Sequence, residues 1–196
     1  MILDLLRHGE PLGGQRYRGH GCDDPLNQRG WQQMRHSMNL ELPVPPYDQV
    51  WTSPLKRCQD FAQHYAQHHA LPITILPDWR EIGFGAWEGL TERQVRTLRP
   101  AEYTAFREDP VHCRPPGAES ISVFRERVEQ TLLQIWQPGH TILAVVHTGV
   151  VRAILGWILD MPDHSLGQIR VAFASLSRVQ YTQERGWQVV FTGLQK

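Results

Sequence analysis

A chain of 196 residues with 41% apolar and 20% charged side chains has the composition of a globular protein, expected to form one domain over 1–196 with a substantial core. Its formal net charge is zero, so no global field draws it to nucleic acid or an anionic membrane, and any anion site has to be local. No apolar run approaches the ~18 residues of a membrane span, and the start lacks a secretory-leader pattern. Cys22, Cys58 and Cys113 form neither a disulfide framework nor a zinc pattern, so a reducing cytoplasm is the expected setting.

In chain order, 1–6 reads as a buried strand that runs into Arg7-His8-Gly9-Glu10. The glycine- and proline-containing stretch 11–26 reads as a long loop. Asn27 is a candidate cap for a helix to about Leu40, ended by Pro43, Pro45 and Pro46. A short strand is expected over 48–52. Ser53-Pro54 then reads as an N-cap and first helical position of a helix to about His69. A strand at 73–76 precedes an irregular stretch, 80–90, and short helices fill 91–108. The spacing of Val123, Val128, Leu132 and Ile135 predicts a helix from Ser120 to Trp136. The apolar run 141–146 has the character of a strand buried on both faces, followed by a helix from Gly149 to Leu159. Alternation over 169–182 and 187–192 around Arg185-Gly186 predicts a closing hairpin. The fold class is therefore α/β, a three-layer sandwich with a mostly parallel central sheet and helices on both faces.

Sheets of this kind bind ligands outside the carboxyl ends of their strands. His8 lies just past the first strand, Arg57 in the first turn of the helix after the second, and His147 at the end of the most apolar strand. All three are expected on one sheet edge, beside helix N-termini that favour anions. Arg7 offers a planar fork of donors to phosphoryl oxygens, and His8 a nitrogen nucleophile that two neighbouring arginines would keep neutral. Gly9 is expected to let the backbone approach a ligand closely. In-line attack by His8, with Arg7, Arg57 and a protonated His147 offsetting charge on the equatorial oxygens, requires no metal and no cofactor.

Four ordered segments, Leu6-Arg7-His8-Gly9-Glu10, Ser53-Pro54-Leu55-Lys56-Arg57, Arg80 through Gly89, and His147-Thr148-Gly149-Val150-Val151-Arg152, resemble the histidine phosphatase (phosphoglycerate mutase-like) superfamily. The resemblance implies a phosphohistidine at His8, a phosphate pocket of Arg7, Arg57 and His147, and Glu81 as proton donor. Glu88 is the nearby rival for the acid. Glu10 is expected to buttress its loop, Arg152 to act as an ion-pair partner, and Gly83, Gly85 and Trp87 to shape the acid's loop. His64 and His68, four apart on a helix, form either a metal face or an exposed polar face.

Pro11 and Gly14 stand where the family often has a threonine and an asparagine that touch phosphate, so Gln15, Arg16 or backbone amides are expected to substitute. Thr148 replaces a glycine, which its backbone N–H tolerates if that is the donor. Finer similarity, in 14–19, in Asp109-Pro110 with 115–120, and in 169–177, is to the bacterial α-ribazole phosphatases. It implies α-ribazole 5′-phosphate as the small-molecule substrate and places Arg18 and Gly19 beside it, with Tyr17, Phe84 and Trp87 either stacking on a base or packing their loops. The chain lacks the insertion and tail of the mutases, which favours hydrolysis. A broad-specificity or sugar-phosphate phosphatase, a mutase and an inactive phosphate-binding module remain the alternatives, and the protein is expected to be a monomer or homodimer.

Overall fold

The structure is a computed structural model and describes residues 1–38 and 47–195. Its six strands are β1 (Ile2–Arg7), β2 (Gln49–Thr52), β3 (Ile73–Ile75), β4 (Thr141–Val146), β5 (Leu176–Thr182) and β6 (Gly186–Leu194), in sheet order β3-β2-β4-β1-β5-β6. The first four in that order run parallel, and β5 and β6 add an antiparallel hairpin to β1. The helices are α1 (Gln28–Met38), α2 (Lys56–His68), α3 (Glu92–Leu98), α4 (Pro100–Glu108), α5 (Ile121–Gln134) and α6 (Thr148–Ile158).

Alternation along the central strands divides the core in two. Leu3 and Leu5 of β1 with Ile142, Ala144 and Val146 of β4 face one way, onto Phe124, Val128 and Leu132 of α5 and Ile154 of α6. Leu6, Leu143 and Val145 face the other way, onto Met34 of α1 and Cys58, Phe61 and Ala62 of α2. β4 is buried at every position, as a central parallel strand covered on both faces has to be. Each fully buried leucine here contributes about 1.5–3 kcal/mol. The expected three-layer α/β sandwich is what the chain forms.

Several local expectations are corrected. Helix α2 starts at Lys56, two residues beyond the position that Ser53-Pro54 suggests, with Leu55 in the cap position; the Ser53 hydroxyl accepts from the Leu55 N–H at 3.3 Å and lies 2.6 Å from His147 Nε2. Val123 is exposed; Phe124 takes the buried position on α5. The hairpin starts at Leu176, because the carbonyls of Ile169 and Val171 bond arginines and Ala174 has a positive φ of 54°. Asn27 does cap α1, accepting from the Gly30 N–H at 2.7 Å, while the expected end near Leu40 and its three prolines lie outside the described residues. One pair was not foreseen: Asp4, fully buried in β1, faces Arg178 of β5 in register, with N–O distances of 2.7 and 2.8 Å, and also accepts from the Tyr47 hydroxyl.

Candidate active site

The parallel strands end together, and the polar residues that follow them meet there. His8 continues the β1 ladder by one bond, its N–H donating to the Val146 carbonyl at 2.9 Å. His147 is the residue between β4 and α6, Arg57 is the second residue of α2, and Glu81 follows the 3-10 turn Pro77–Trp79. A cavity of about 470 Å³ opens at this edge. Arg7, His8, Arg57 and Glu81 line it together with Gln15, Arg18 and Gly19. His147 lies behind its wall, fully buried, its ring centroid 5.2 Å from that of His8. Thr148 does not line it; its hydroxyl is buried without a partner in the first turn of α6.

The His8 ring has a defined tautomer. Nδ1 sits 2.8 Å from the Gly9 carbonyl, which can only accept, so Nδ1 carries the hydrogen and Nε2 the lone pair. Burial, then Arg57 and Arg7, push the His8 pKa well below its usual value, so the ring is neutral. The close approach made by Gly9 is to protein rather than to ligand, since a Cβ there would lie 2.3 Å from the Gly30 carbonyl oxygen.

Arg57 is 1% exposed and donates to the carbonyls of Cys22 and Gly19 at 2.8 and 2.7 Å. Arg7 donates to the Val171 carbonyl at 2.7 Å and lies 4.0 Å over the Phe173 ring. Burial lowers its pKa to about 10, which leaves it cationic at neutral pH. Each of these arginines keeps a buried Nε–H without an acceptor.

The expectation of a protonated His147 is corrected. Burial first, then Arg57, His8 and Arg7, hold its pKa well below the usual range. Its Nε2 pairs with the Ser53 hydroxyl, and the Cys58 sulfur rests 3.6 Å from the same nitrogen. The unfolded chain protonates both histidines near 6.5, while the folded chain does so only at lower pH. Stability from the two neutral rings is therefore complete above about pH 6.5 and is lost as pH falls below it. Urea midpoints are expected to drop between about pH 7 and pH 5, and a His8→Asn/His147→Asn double variant to flatten that slope. A midpoint that rises over this interval would contradict the burial of two neutral imidazoles.

Glu81 is held in place as an acceptor. Its Oε1 takes the N–H groups of Ile82 and Gly149 at 3.0 and 3.1 Å. Gly149 is required for this, because a Cβ there would come within 2.2 Å of Oε1. The backbone around Glu81 is clamped from behind. Arg127 pairs with Glu119 through two bonds of 2.7 and 2.9 Å and donates to the carbonyls of Asp78, Arg80 and Glu81. Glu119 in turn accepts from the Gly83 N–H, and Arg114 donates to the Gly83 carbonyl. Glu88 has a different job: it accepts from the Phe84 N–H at 2.9 Å and does not line the cavity. Trp87 is fully buried and packs its loop, whereas Tyr17 and Phe84 line the cavity with ring centroids 5.1 Å apart.

Three further sequence expectations change in detail. Arg18 spends its donors on Asp24 and on the carbonyls of Leu12 and Gly14, and Gly19 gives its carbonyl to Arg57, so both shape the wall. Arg152 holds the carbonyls of Ile169 and Gly167 instead of a carboxylate. Glu10 does buttress its loop, accepting from Asn27 at 3.0 Å with Arg29 3.6 Å away. Among the described residues no group of three or more metal-ligating side chains is assembled, at His64 and His68 or elsewhere. The roles of Ser53 and Phe173 escaped the sequence reading because each depends on a partner distant along the chain, and that of the Glu119–Arg127 pair because the carbonyls it holds, of Asp78, Arg80 and Glu81, are distant.

Residues 3–194 match the sequence model of the Histidine phosphatase superfamily (branch 1). The chain is 30% identical over 188 residues to the adenosylcobalamin/alpha-ribazole phosphatase of Escherichia coli (strain K12), covering 94% of this chain and 92% of that protein. It is 31% identical over 175 residues to the protein of the same name from Salmonella typhimurium, covering 87% and 86%. Among solved structures, the alpha-ribazole phosphatase from Shigella flexneri superposes with a TM-score of 0.87 at 30% identity, over 99% of this chain and 96% of that one. With its sequence and its fold matched over nearly its whole length, the chain belongs to the histidine phosphatase superfamily.

Proposed function

We propose that the chain is a metal-independent phosphomonoesterase that works through a phosphohistidine at His8 and dephosphorylates α-ribazole 5′-phosphate in cobalamin assembly in the cytoplasm. The observation that carries the chemistry is the bond from His8 Nδ1 to the Gly9 carbonyl, which leaves a neutral ring with its lone pair on Nε2, in a cavity lined by the half-buried Arg7 and the buried Arg57. Nε2 attacks phosphorus in line while the guanidinium groups of Arg7 and Arg57, which line the cavity, offset charge on the equatorial oxygens. These two cations supply the charge stabilisation that a metal provides elsewhere. His147, behind His8, completes the pocket as a neutral ring. The Glu81 carboxyl gives a proton to the leaving oxygen, then takes one from the water that attacks the phosphohistidine. Gln15 on the cavity wall stands in for the missing threonine and asparagine, while Arg18 and Gly19 shape the wall beside the leaving group. The substrate assignment rests on similarity to the alpha-ribazole phosphatases and on Tyr17 and Phe84, which present aromatic faces to a base.

Steady-state kinetics on α-ribazole 5′-phosphate, 3-phosphoglycerate and common nucleotide and sugar monophosphates test that assignment. The α-ribazole ester is expected to have the highest kcat/KM; a preference of about tenfold or more for any of the others would overturn it. The acid is tested separately. Glu81→Gln is expected to slow hydrolysis of an alkyl ester by about 10²–10⁴-fold, and to let phosphohistidine accumulate with a good aryl leaving group. Glu88→Gln keeps an acceptor for Phe84 and should cost far less. The opposite ranking would give the role to Glu88.

A further inference from the structure

Residues 18–22 make a turn closed by the Cys22 N–H, which donates to the Arg18 carbonyl at 3.2 Å. One side of this turn holds Arg57: the Gly19 and Cys22 carbonyls accept from its two Nη groups at 2.7 and 2.8 Å. The other side meets the segment that carries Glu81. The Glu88 carboxylate lies so close to Gly19 and Gly21 that a Cβ on either would overlap one of its oxygens. Between these glycines, His20 reaches Glu81. Its Nδ1 is 3.2 Å from the Glu81 carbonyl, which can only accept, so Nδ1 carries the hydrogen. The ring also packs on Gly83, where a Cβ would come 2.7 Å from its Cε1. Among the described residues, the His20 bond is the one hydrogen bond from the turn to residues 80–83.

His20 does not line the cavity, and packing alone requires no ring nitrogen aimed at a carbonyl. The bond matters for where the acid stands. The Glu81 carboxylate accepts from Ile82 and Gly149, and its carbonyl takes a second donor, Arg127 Nη2 of α5, at 3.3 Å. None of those partners belongs to the turn that holds Arg57. We propose that His20 is a positioning residue for proton transfer: by tying Glu81 to the Arg57 turn, it sets the acid at a fixed distance from the phosphoryl group. The inference rests on the phosphohistidine reading above, with Glu81 as acid, and adds a residue to it. Its signature is selective. A leaving oxygen as weakly basic as 2,4-dinitrophenolate departs without a proton, whereas an alkoxide needs one, so a displaced acid slows only the second. A loosened Arg57 slows both alike.

The test compares kcat/KM, which reports the steps through phosphoryl transfer to His8, for 2,4-dinitrophenyl phosphate and for an alkyl ester, adenosine 5′-monophosphate. His20→Ala is expected to lose about tenfold on the alkyl ester, as a misplaced acid would, and less than about twofold on the aryl ester. His20→Asn, whose amide N–H falls near the Nδ1 position, should recover to within about threefold of wild type. In the Glu81→Gln background, His20→Ala should cost nothing further on the alkyl ester, since the group it positions is gone. If the alanine chain unfolds, His20→Gln carries the comparison, because its longer amide passes the Nδ1 position and should show the same selective loss. Equal losses on both esters, no loss on the alkyl ester, an asparagine variant as slow as alanine, or a loss that persists beside Glu81→Gln would overturn the positioning role and leave the phosphatase reading intact. A Glu81→Gln chain that loses equally on both esters would overturn the acid assignment and this inference with it. A wild-type chain that hydrolyses neither ester would overturn the phosphatase reading itself.

Discussion

Replacing His8 with alanine is expected to lower kcat for an aryl phosphate by about 10⁴-fold or more, the scale on which loss of a nucleophile outweighs loss of a binding contact. The expectation follows from the site. The Nδ1–H bond to the Gly9 carbonyl fixes the ring, and burial beside Arg7 and Arg57 keeps it neutral at working pH. Among the described residues that line the cavity there is no serine, threonine, cysteine or second histidine. The Cys58 thiol, whose pKa burial pushes strongly upward, is occupied with the Val146 carbonyl and the His147 ring. An alanine variant that unfolds at a similar urea concentration yet has lost turnover separates chemistry from folding. Retention of more than about a tenth of the wild-type rate would remove His8 from the nucleophile's role.

The second large effect concerns stability. Arg178→Ala strips Asp4 of both guanidinium bonds and leaves a fully buried carboxylate with the Tyr47 hydroxyl as its remaining side-chain partner. An uncompensated buried charge of this kind costs about 3–5 kcal/mol, readable as a lowered urea midpoint at unchanged slope. The pair itself is worth much less than its breakage, because both ions were desolvated to form it. A double Asp4→Leu/Arg178→Met variant is therefore expected to recover most of the loss. A single variant that loses less than about 1 kcal/mol would show that Asp4 finds water or protonates at little cost.

These cases also show what a sequence makes legible. His8, Arg57 and His147 stood out because each is a polar residue abutting an apolar strand or opening the helix behind one, and parallel topology then brings strand ends together. Asp4 interrupts the first apolar run, a visible oddity, but its partner lies 174 positions away and only the sheet register joins them. Ser53 followed by Pro54 has the form of a helix cap, yet Leu55 takes the cap position and the Ser53 hydroxyl lies 2.6 Å from His147 Nε2. In 169–175 the alternation is that of a strand, yet Arg7 and Arg152 claim the carbonyls a ladder would use. The charge of His147 was misread because residue type does not reveal burial, which decides it. The pairing of Glu119 with Arg127 behind Glu81 was hidden because Glu119 lies ahead of α5, outside the helix whose periodicity is legible.

All of these points bear on whether the neutral ring of His8 is the group that receives phosphate. Rapid acid-free quenching of the Glu81→Gln variant during turnover of a ³²P-labelled aryl ester measures this directly. The account predicts label on the His8 peptide, stable to alkali, lost in acid, and absent when His8→Ala is combined with Glu81→Gln. Turnover without any labelled protein, or label that persists in the His8→Ala background, would contradict it.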